Sequence, residues 1–216
     1  MKTLVSWSGG KDSCYAMMQA IAAGYQPTVL LNMMNENGQI SRSHGLPHHL
    51  LLQQAEAVGL PLITVPASWE AYEMRFIAAL HQITELYKVG AAVFGDIDLQ
   101  AHRDWEEKVC AAAGIEAVLP LWQQPRRALV EAMLRDGIRT MIVSCNVQLG
   151  PDFLGRVMDM GLVHELEAKG VDVCGENGEF HTLVVDCPLF KGAVHVGGYE
   201  KVRHGDYWFL QWEDKA

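Results

Sequence analysis

The run Ser8-Gly9-Gly10-Lys11-Asp12-Ser13 concentrates chemistry near the start of the chain. Adjacent glycines let a backbone turn sharply, so that consecutive N–H groups face one concavity and a following helix points its N-terminus into it. Lys11 adds a full positive charge, and Ser8 and Ser13 offer hydroxyl donors. Such a loop suits an anion with several oxygens, most naturally a phosphate chain. It is not a Walker A loop, which needs four residues between its glycines and a hydroxyl directly after the lysine. Asp12 stands there instead. A carboxylate beside bound phosphate is repelled unless a cation intervenes, so Asp12 points to Mg²⁺. A plain glycine turn with both charges solvated is the weaker alternative.

Other residues invite chemistry with less specificity. Gly95-Asp96 closes a predicted strand, where Asp96 is either a metal or nucleotide contact or a turn residue. Glu176 and Glu179 flank Gly178 and follow Gly175, with His181 and Thr182 close behind. Both carboxylates could face one pocket, and a solvated hairpin loop accounts for the spacing equally well. His44, His48 and His49 suggest a metal, but Gly45 and Pro47 break the helical pairing of 44 with 48. Substrate contact or a helix start is preferred there. Arg42 is as consistent with meeting an anion as with solvation.

The elements that must position these groups alternate between short apolar runs and helical periodicity. Strands are predicted at residues 3–7, 28–33, 62–65, 91–94 and 117–119. Between them lie helices, the first with Cys14, Met17, Met18 and Ile21 on one face and a stop at Gly24. A helix follows over 47–58, and Ser68 can cap a long one striped by Tyr72, Phe76, Leu80, Ile83 and Tyr87. A further helix runs through Trp105 to a stop at Gly114. Strand–helix alternation favours right-handed crossovers and a parallel sheet covered on both faces, with ligands at the strands' carboxyl ends. The texture changes after Trp122. A helix is predicted over 125–136, a strand over 140–143, and a helix over 151–169 that Gly155 and Gly161 weaken. Strands then follow at 180–185, 193–196 and 207–212, the last an aromatic strand read as internal packing. The expected architecture is α/β: residues 1–122 form a Rossmann-like nucleotide-binding domain with a five-stranded parallel sheet, and residues 123–216 form a smaller α+β domain.

Composition narrows the partners. The 216 residues carry 17 Lys and Arg against 26 Asp and Glu, for a net charge of −9, with half of all residues apolar. That is ordinary globular composition, and the charge opposes a broad nucleic-acid footprint. No apolar run approaches the roughly 20 residues of a membrane helix, and residues 8–12 interrupt any signal-peptide core. Five cysteines without a CxxC pair argue against a zinc ribbon or redox motif and suit free thiols in the cytoplasm. The acidic excess is uneven: residues 1–144 hold 11 basic and 14 acidic groups, residues 145–216 hold 6 and 12.

The sequence resembles a known family. Ser8-Gly9-Gly10-Lys11-Asp12-Ser13 is similar to the PP-loop of the N-type ATP pyrophosphatases, within the adenine-nucleotide α-hydrolase (HUP) fold. Further runs are similar to the diphthine–ammonia ligase (diphthamide synthase) family: Ser41-Arg42-Ser43-His44-Gly45-Leu46-Pro47, residues 54–62, Phe94-Gly95-Asp96-Ile97, Leu119-Pro120-Leu121-Trp122 and Cys174-Gly175-Glu176-Asn177-Gly178-Glu179-Phe180-His181-Thr182. They span residues 4 to about 190. One departure is Cys187, where a glycine is expected between Asp186 and Pro188. Larger eukaryotic members also carry additional C-terminal domains.

The resemblance implies a two-step reaction. A substrate carboxylate attacks the α-phosphorus of ATP to give an acyl adenylate and pyrophosphate, and ammonia then displaces AMP. It implies ATP binding by Ser8, Gly9, Gly10, Lys11, Asp12, Ser13 and Gly95; by their place after the second strand, Met33 and Met34 could line an adenine pocket. Asp12 and Asp96 would ligate Mg²⁺, and Lys11 would stabilise the departing pyrophosphate. Glu176, Glu179 and His181 would receive ammonium and its proton, so that Glu179→Gln slows amide formation and spares pyrophosphate release. Apart from the resemblance, Arg42, His44, Asn177 and Thr182 are the candidate substrate contacts by residue type and position. That acceptor is unidentified, being diphthine on elongation factor 2 for an archaeal or eukaryotic chain, and the oligomeric state is open, a homodimer included. The competing readings are another PP-loop enzyme acting on tRNA, disfavoured by charge and absent CxxC pairs, and a non-catalytic adenine-nucleotide-binding protein.

Overall fold

The computed structural model describes residues 1–212. Five strands, β1 (Lys2–Ser6), β2 (Gln26–Met34), β3 (Leu62–Pro66), β4 (Ala91–Val93) and β5 (Glu116–Val118), form one sheet in the order β3-β2-β1-β4-β5. All four pairings are parallel. Each crossover carries a helix: α1 (Lys11–Ala22), α2 (His48–Val58), α3 (Tyr72–Tyr87) and α4 (Gln100–Ala112). This is the expected Rossmann-like sheet. The chain winds outward in both directions from β1, so a crevice opens above β1 and β4, where the strand order reverses.

The sheet is covered on both faces for a reason visible in its strands. β4 is buried along its whole length, and the last six residues of β2 are buried. One apolar cluster joins Leu4, Val29 and Ala92 to Phe76, Leu80 and Ile83 of α3 and to Val109 of α4. The other joins Val5, Trp7 and Val93 to Cys14 and Met17 of α1 and to Leu50 and Leu51 of α2. Ser68 accepts from the Ala71 N–H in the turn that leads into α3.

A second sheet, of antiparallel strands, packs into that same cluster. Its order is β7 (Phe180–Asp186), β6 (Arg139–Asn146), β9 (Tyr207–Trp212) and β8 (Tyr199–His204). Ile142, Phe180 and Leu183 share the core with Trp7 and Met17. The helix α5 (Arg126–Arg135) precedes β6. Because α1 lies between the two sheets, it buries Tyr15, Ala16 and Ala20 beyond its predicted stripe, while Ile21 points out.

Two expectations for this second part are corrected. The single helix over 151–169 is a 3-10 turn (Pro151–Phe153) and a separate helix α6 (Met160–Ala168), because Gly155 takes a left-handed φ of 83° that ends any helix. Asp159 caps α6, accepting from the Leu162 N–H at 2.7 Å. Residues 193–196 form no strand; the outer partner of β9 is β8, carrying exposed Glu200, Lys201 and Arg203. Charged, solvent-facing residues of this kind hide an edge strand from a hydrophobicity reading. The sulfur of Cys187 is buried and accepts a hydrogen bond from the Cys14 thiol, which pushes Cys14 up and draws Cys187 down from the usual thiol range.

Candidate active site

The glycine loop is built by contacts from three elements. Gly9 adopts a φ of 84°, and a β-carbon there would lie 2.7 Å from Leu46 and 2.9 Å from Gln54. Gln54, on α2 and fully buried, donates from Nε2 to the carbonyls of Gly9 (2.9 Å) and Val184 (2.8 Å), and its Oε1 accepts from the Trp7 indole at 2.9 Å. The Val184 N–H also donates to the Gly9 carbonyl at 2.9 Å. One amide side chain thus ties β1, the loop and β7 together. Sequence reasoning passed over it, because a lone glutamine in an apolar helix face carries no motif.

The loop's own donors are partly committed. The Lys11 N–H donates to the Thr182 hydroxyl (3.1 Å) and the Gly10 N–H to Ser8 Oγ (3.2 Å). Not every N–H of the expected nest therefore points into free space. The Ser8 and Ser13 hydroxyls lie 3.1 Å apart, and the Lys11 ammonium, only 3% exposed, reaches Asp12 Oδ2 at 2.8 Å and the Cys174 carbonyl. Burial opposes the charge on Lys11, but Asp12, Cys174 and Glu176 together hold the lysine above its ordinary range. Two of its three donors are taken, leaving one for a ligand.

A cavity of about 380 Å³ opens over β1 and β4. Ser8, Lys11, Asp12, Ser13, Gly95 and Asp96 line it from the parallel sheet, and Glu176, His181 and Thr182 from the antiparallel one, with His44 between. Gly95 sits so close to α1 that a β-carbon would lie 2.7 Å from backbone atoms of Asp12 and Ser13. Asp12 Oδ1 is buried without a partner, and burial with the nearby Asp96 carboxylate raises its proton affinity. A buried orphaned carboxylate oxygen beside a second carboxylate is chemistry that fits a divalent cation. Behind Asp96, buried Glu106 is pushed up to about 11 by burial and by its hydrogen bond to Asp96, so it stays protonated and donates. His102 Nδ1 meets Asp96 Oδ1 at 2.7 Å, and against the cost of burial these two bonds keep Asp96 ionised. Glu106 and His102 lie on α4 and were not singled out from sequence.

The two glutamates expected to share a pocket are parted. Glu176 lines the main cavity, where burial and then Asp12 raise its carboxyl to about 7 against the opposing pull of Lys11. Glu179 instead accepts from the Asn177 N–H (3.0 Å) and Asn177 Nδ2 (3.1 Å), and borders a different cavity with Lys169 and Asn146. A seven-residue loop with two left-handed glycines, Gly175 and Gly178, doubles back on itself, so carboxylates three apart face opposite ways. Asn177 is exposed and its side chain serves this loop, while the Thr182 hydroxyl serves the start of α1.

Arg126 clasps the arrangement. It donates to both oxygens of Asp98 (2.6 and 2.8 Å) and to Asp172 Oδ2 (2.6 Å). Asp172 in turn accepts from the N–H groups of Cys174 (3.1 Å) and Glu176 (3.0 Å). His44 Nδ1 lies 2.7 Å from the Thr182 carbonyl, with its ring 4.8 Å from that of His181. Burial drives His44 down to about 3 and His181 to about 4, so both rings are neutral. His44 then donates to Thr182 and presents a bare Nε2. Met33 and Arg42 line a smaller neighbouring cavity of about 70 Å³.

Residues 1–117 match the diphthamide synthase N-terminal domain, and residues 126–215 match the diphthamide synthase C-terminal domain. The chain belongs to the diphthamide synthase family. A human diphthine–ammonia ligase is 33% identical, aligned over 94% of this chain and 86% of its own length. The zebrafish (Danio rerio) diphthine–ammonia ligase is 32% identical over 92% and 88%. These relatives are ligases, and the family places this chain among ligases. A solved structure described as a predicted subunit of a tRNA methyltransferase from Methanocaldococcus jannaschii aligns over 87% of this chain and 98% of its own, at 17% identity and a TM-score of 0.48.

Proposed function

We propose that this family member is an ATP-dependent carboxylate–ammonia ligase that forms AMP. One observation carries the reading: a single cavity gathers Lys11, the Asp12–Asp96 pair and Glu176. An acceptor carboxylate oxygen attacks the α-phosphorus of ATP, the bond to the bridging oxygen of the β-phosphate breaks, and pyrophosphate leaves as an acyl adenylate forms. Lys11 and the Ser8 and Ser13 hydroxyls stabilise the charge growing on that leaving group, which is electrostatic preorganisation. Asp12 and Asp96 would hold Mg²⁺, which supplies positive charge against the phosphates.

In the second step ammonia forms a bond to the acyl carbon, the bond from that carbon to the AMP oxygen breaks, and an amide remains. Ammonium must first lose a proton, and Glu176, poised near neutrality by burial and Asp12, accepts it. The proton-accepting role expected of both glutamates thus falls to Glu176, with Glu179 shaping the loop. The relatives' name supports diphthine, the modified histidine of elongation factor 2, as acceptor where that protein is the partner. Residues 1–122 would serve ATP and one side of the acceptor, and residues 123–216 ammonia and the acceptor's other side. Five free, buried cysteines suit a reducing cytoplasm, and among the described residues no helix is long and apolar enough to cross a membrane.

Phosphorus NMR of the nucleotide products, with candidate carboxylates and ammonium, tests the reading. AMP with pyrophosphate is expected; ADP with phosphate overturns it.

A further inference from the structure

Arg42 lies at the end of β2, where its N–H donates to the Met33 carbonyl at 3.1 Å. Its guanidinium stacks 4.5 Å from the Trp69 ring, and Trp69 is itself 72% exposed. The indole lies against one side of the group. Its Nε and Nη2 atoms are both buried and neither has a hydrogen-bond partner. These two nitrogens share one edge of the guanidinium and present two nearly parallel N–H donors, the geometry that pairs with the two oxygens of a carboxylate. Burying two charged donors with no acceptor is costly, so an edge of this kind is shaped for something that supplies one.

The small cavity containing that edge has the matching charge. None of the residues lining it is acidic, and His44 beside it is neutral, so the positive charge of Arg42 is locally uncompensated. Asn32 lines the same cavity, is 3% exposed, and its Oδ1 also lacks a partner, its Nδ2 being spent on the Trp7 carbonyl. The two cavities share Ser6, Ser8, Ser43 and His44 as walls, so a group held at Arg42 lies next to the phosphate loop. At about 70 Å³ against about 380 Å³, the smaller one suits a compact planar group.

We propose that the Nε–Nη2 edge of Arg42 binds a carboxylate of the acceptor substrate, with Asn32 Oδ1 accepting from a neighbouring N–H or O–H of the same molecule. This rests on the ligase reading and assigns a binding residue to the carboxylate acceptor that the reading requires. Phosphate oxygens are served by Lys11, Ser8 and Ser13 on the other side of the shared wall.

The test observes the arginine Nε–H signals of the ¹⁵N-labelled full-length protein during titration with acetate or succinate, against equal chloride. The Arg42 signal is assigned by its loss in Arg42→Lys or in Arg42→Gln. A saturable shift of that signal is expected, with carboxylate binding at least about tenfold weaker in both variants and ATP affinity within about twofold of wild type. No shift at Arg42 overturns the proposal. A shift caused by AMP and not by carboxylates also overturns it, assigning the edge to the nucleotide. Carboxylate binding at Arg42 in a protein that converts ATP to ADP and phosphate would sink the ligase reading and leave the Arg42 site standing.

Discussion

The Lys11 N–H donates to the Thr182 hydroxyl at 3.1 Å, so a side chain of the antiparallel sheet caps the helix that follows the glycine loop. The contact joins residues 171 apart in sequence. It lets the second sheet set the orientation of the first helical turn and of the lysine on it. Thr182→Val removes the acceptor at nearly constant volume and is expected to cost about 1 kcal/mol, as for other lost N-terminal caps. ATP affinity falls with it, and Thr182→Ser restores both. Urea unfolding with calorimetric titration of ATP checks this.

Glu176→Gln is expected to leave ATP–pyrophosphate exchange largely intact and to lower amide formation at least about a hundredfold, the range of a lost general base. In wild type the ammonia-dependent step rises with pH through about 7, because the carboxylate is the form that accepts a proton. The variant loses that limb. Equal loss of both half-reactions would move Glu176 out of the proton-accepting role.

Arg126→Lys keeps a charge but cannot hold both Asp98 oxygens and Asp172 at once. The loop that carries Glu176 should loosen. Faster amide exchange across residues 172–179 and a fall in kcat larger than any change in KM for ATP are the expected readings.

His44 and His181 titrate near 3 and 4 in the folded protein, against an ordinary 6.5. Between those values the unfolded chain binds more protons than the folded one, so stability falls as the pH drops from about 6.5 toward 4. His44→Gln and His181→Gln should each flatten the dependence of melting temperature on pH over that window. A slope unchanged in both variants would contradict the assignment.

Gly95→Ala forces a β-carbon against the backbone of Asp12 and Ser13, with no flexible side chain to yield. A loss of about 1–3 kcal/mol is expected, with weakened ATP binding, since the displaced segment carries the loop. Thermal melts with and without ATP distinguish the two effects.

Part of this was legible along the chain. The glycine loop could be read because the constraint is local: two glycines, a lysine and a hydroxyl act within six residues, and an apolar run before them needs no distant partner to be a strand. The parallel sheet was legible for a similar reason, since strand–helix alternation leaves few permitted topologies. Gln54 was not, because its meaning lies in three acceptors and donors on other elements. The edge strand β8 was hidden by its charges, and the helix predicted over 151–169 failed at a single left-handed glycine.

By itself the sequence determined the glycine loop between a strand and a helix, the strand–helix alternation of the first sheet and the family. Which way each side chain of the Cys174–Phe180 loop points was decided only by the tertiary structure. Glu176 faces the cavity because Asp172, held by Arg126, takes its N–H, whereas Glu179 turns back to satisfy Asn177. The net charge of −9, and its excess beyond residue 144, read only as bulk composition. Folding gives the carboxylates separate tasks: Asp172 holds a loop, Asp12 pairs with Lys11, and burial lifts Glu176 to about 7. Burial and orientation are properties of what surrounds a residue, and for this loop the surroundings arrive from the other sheet.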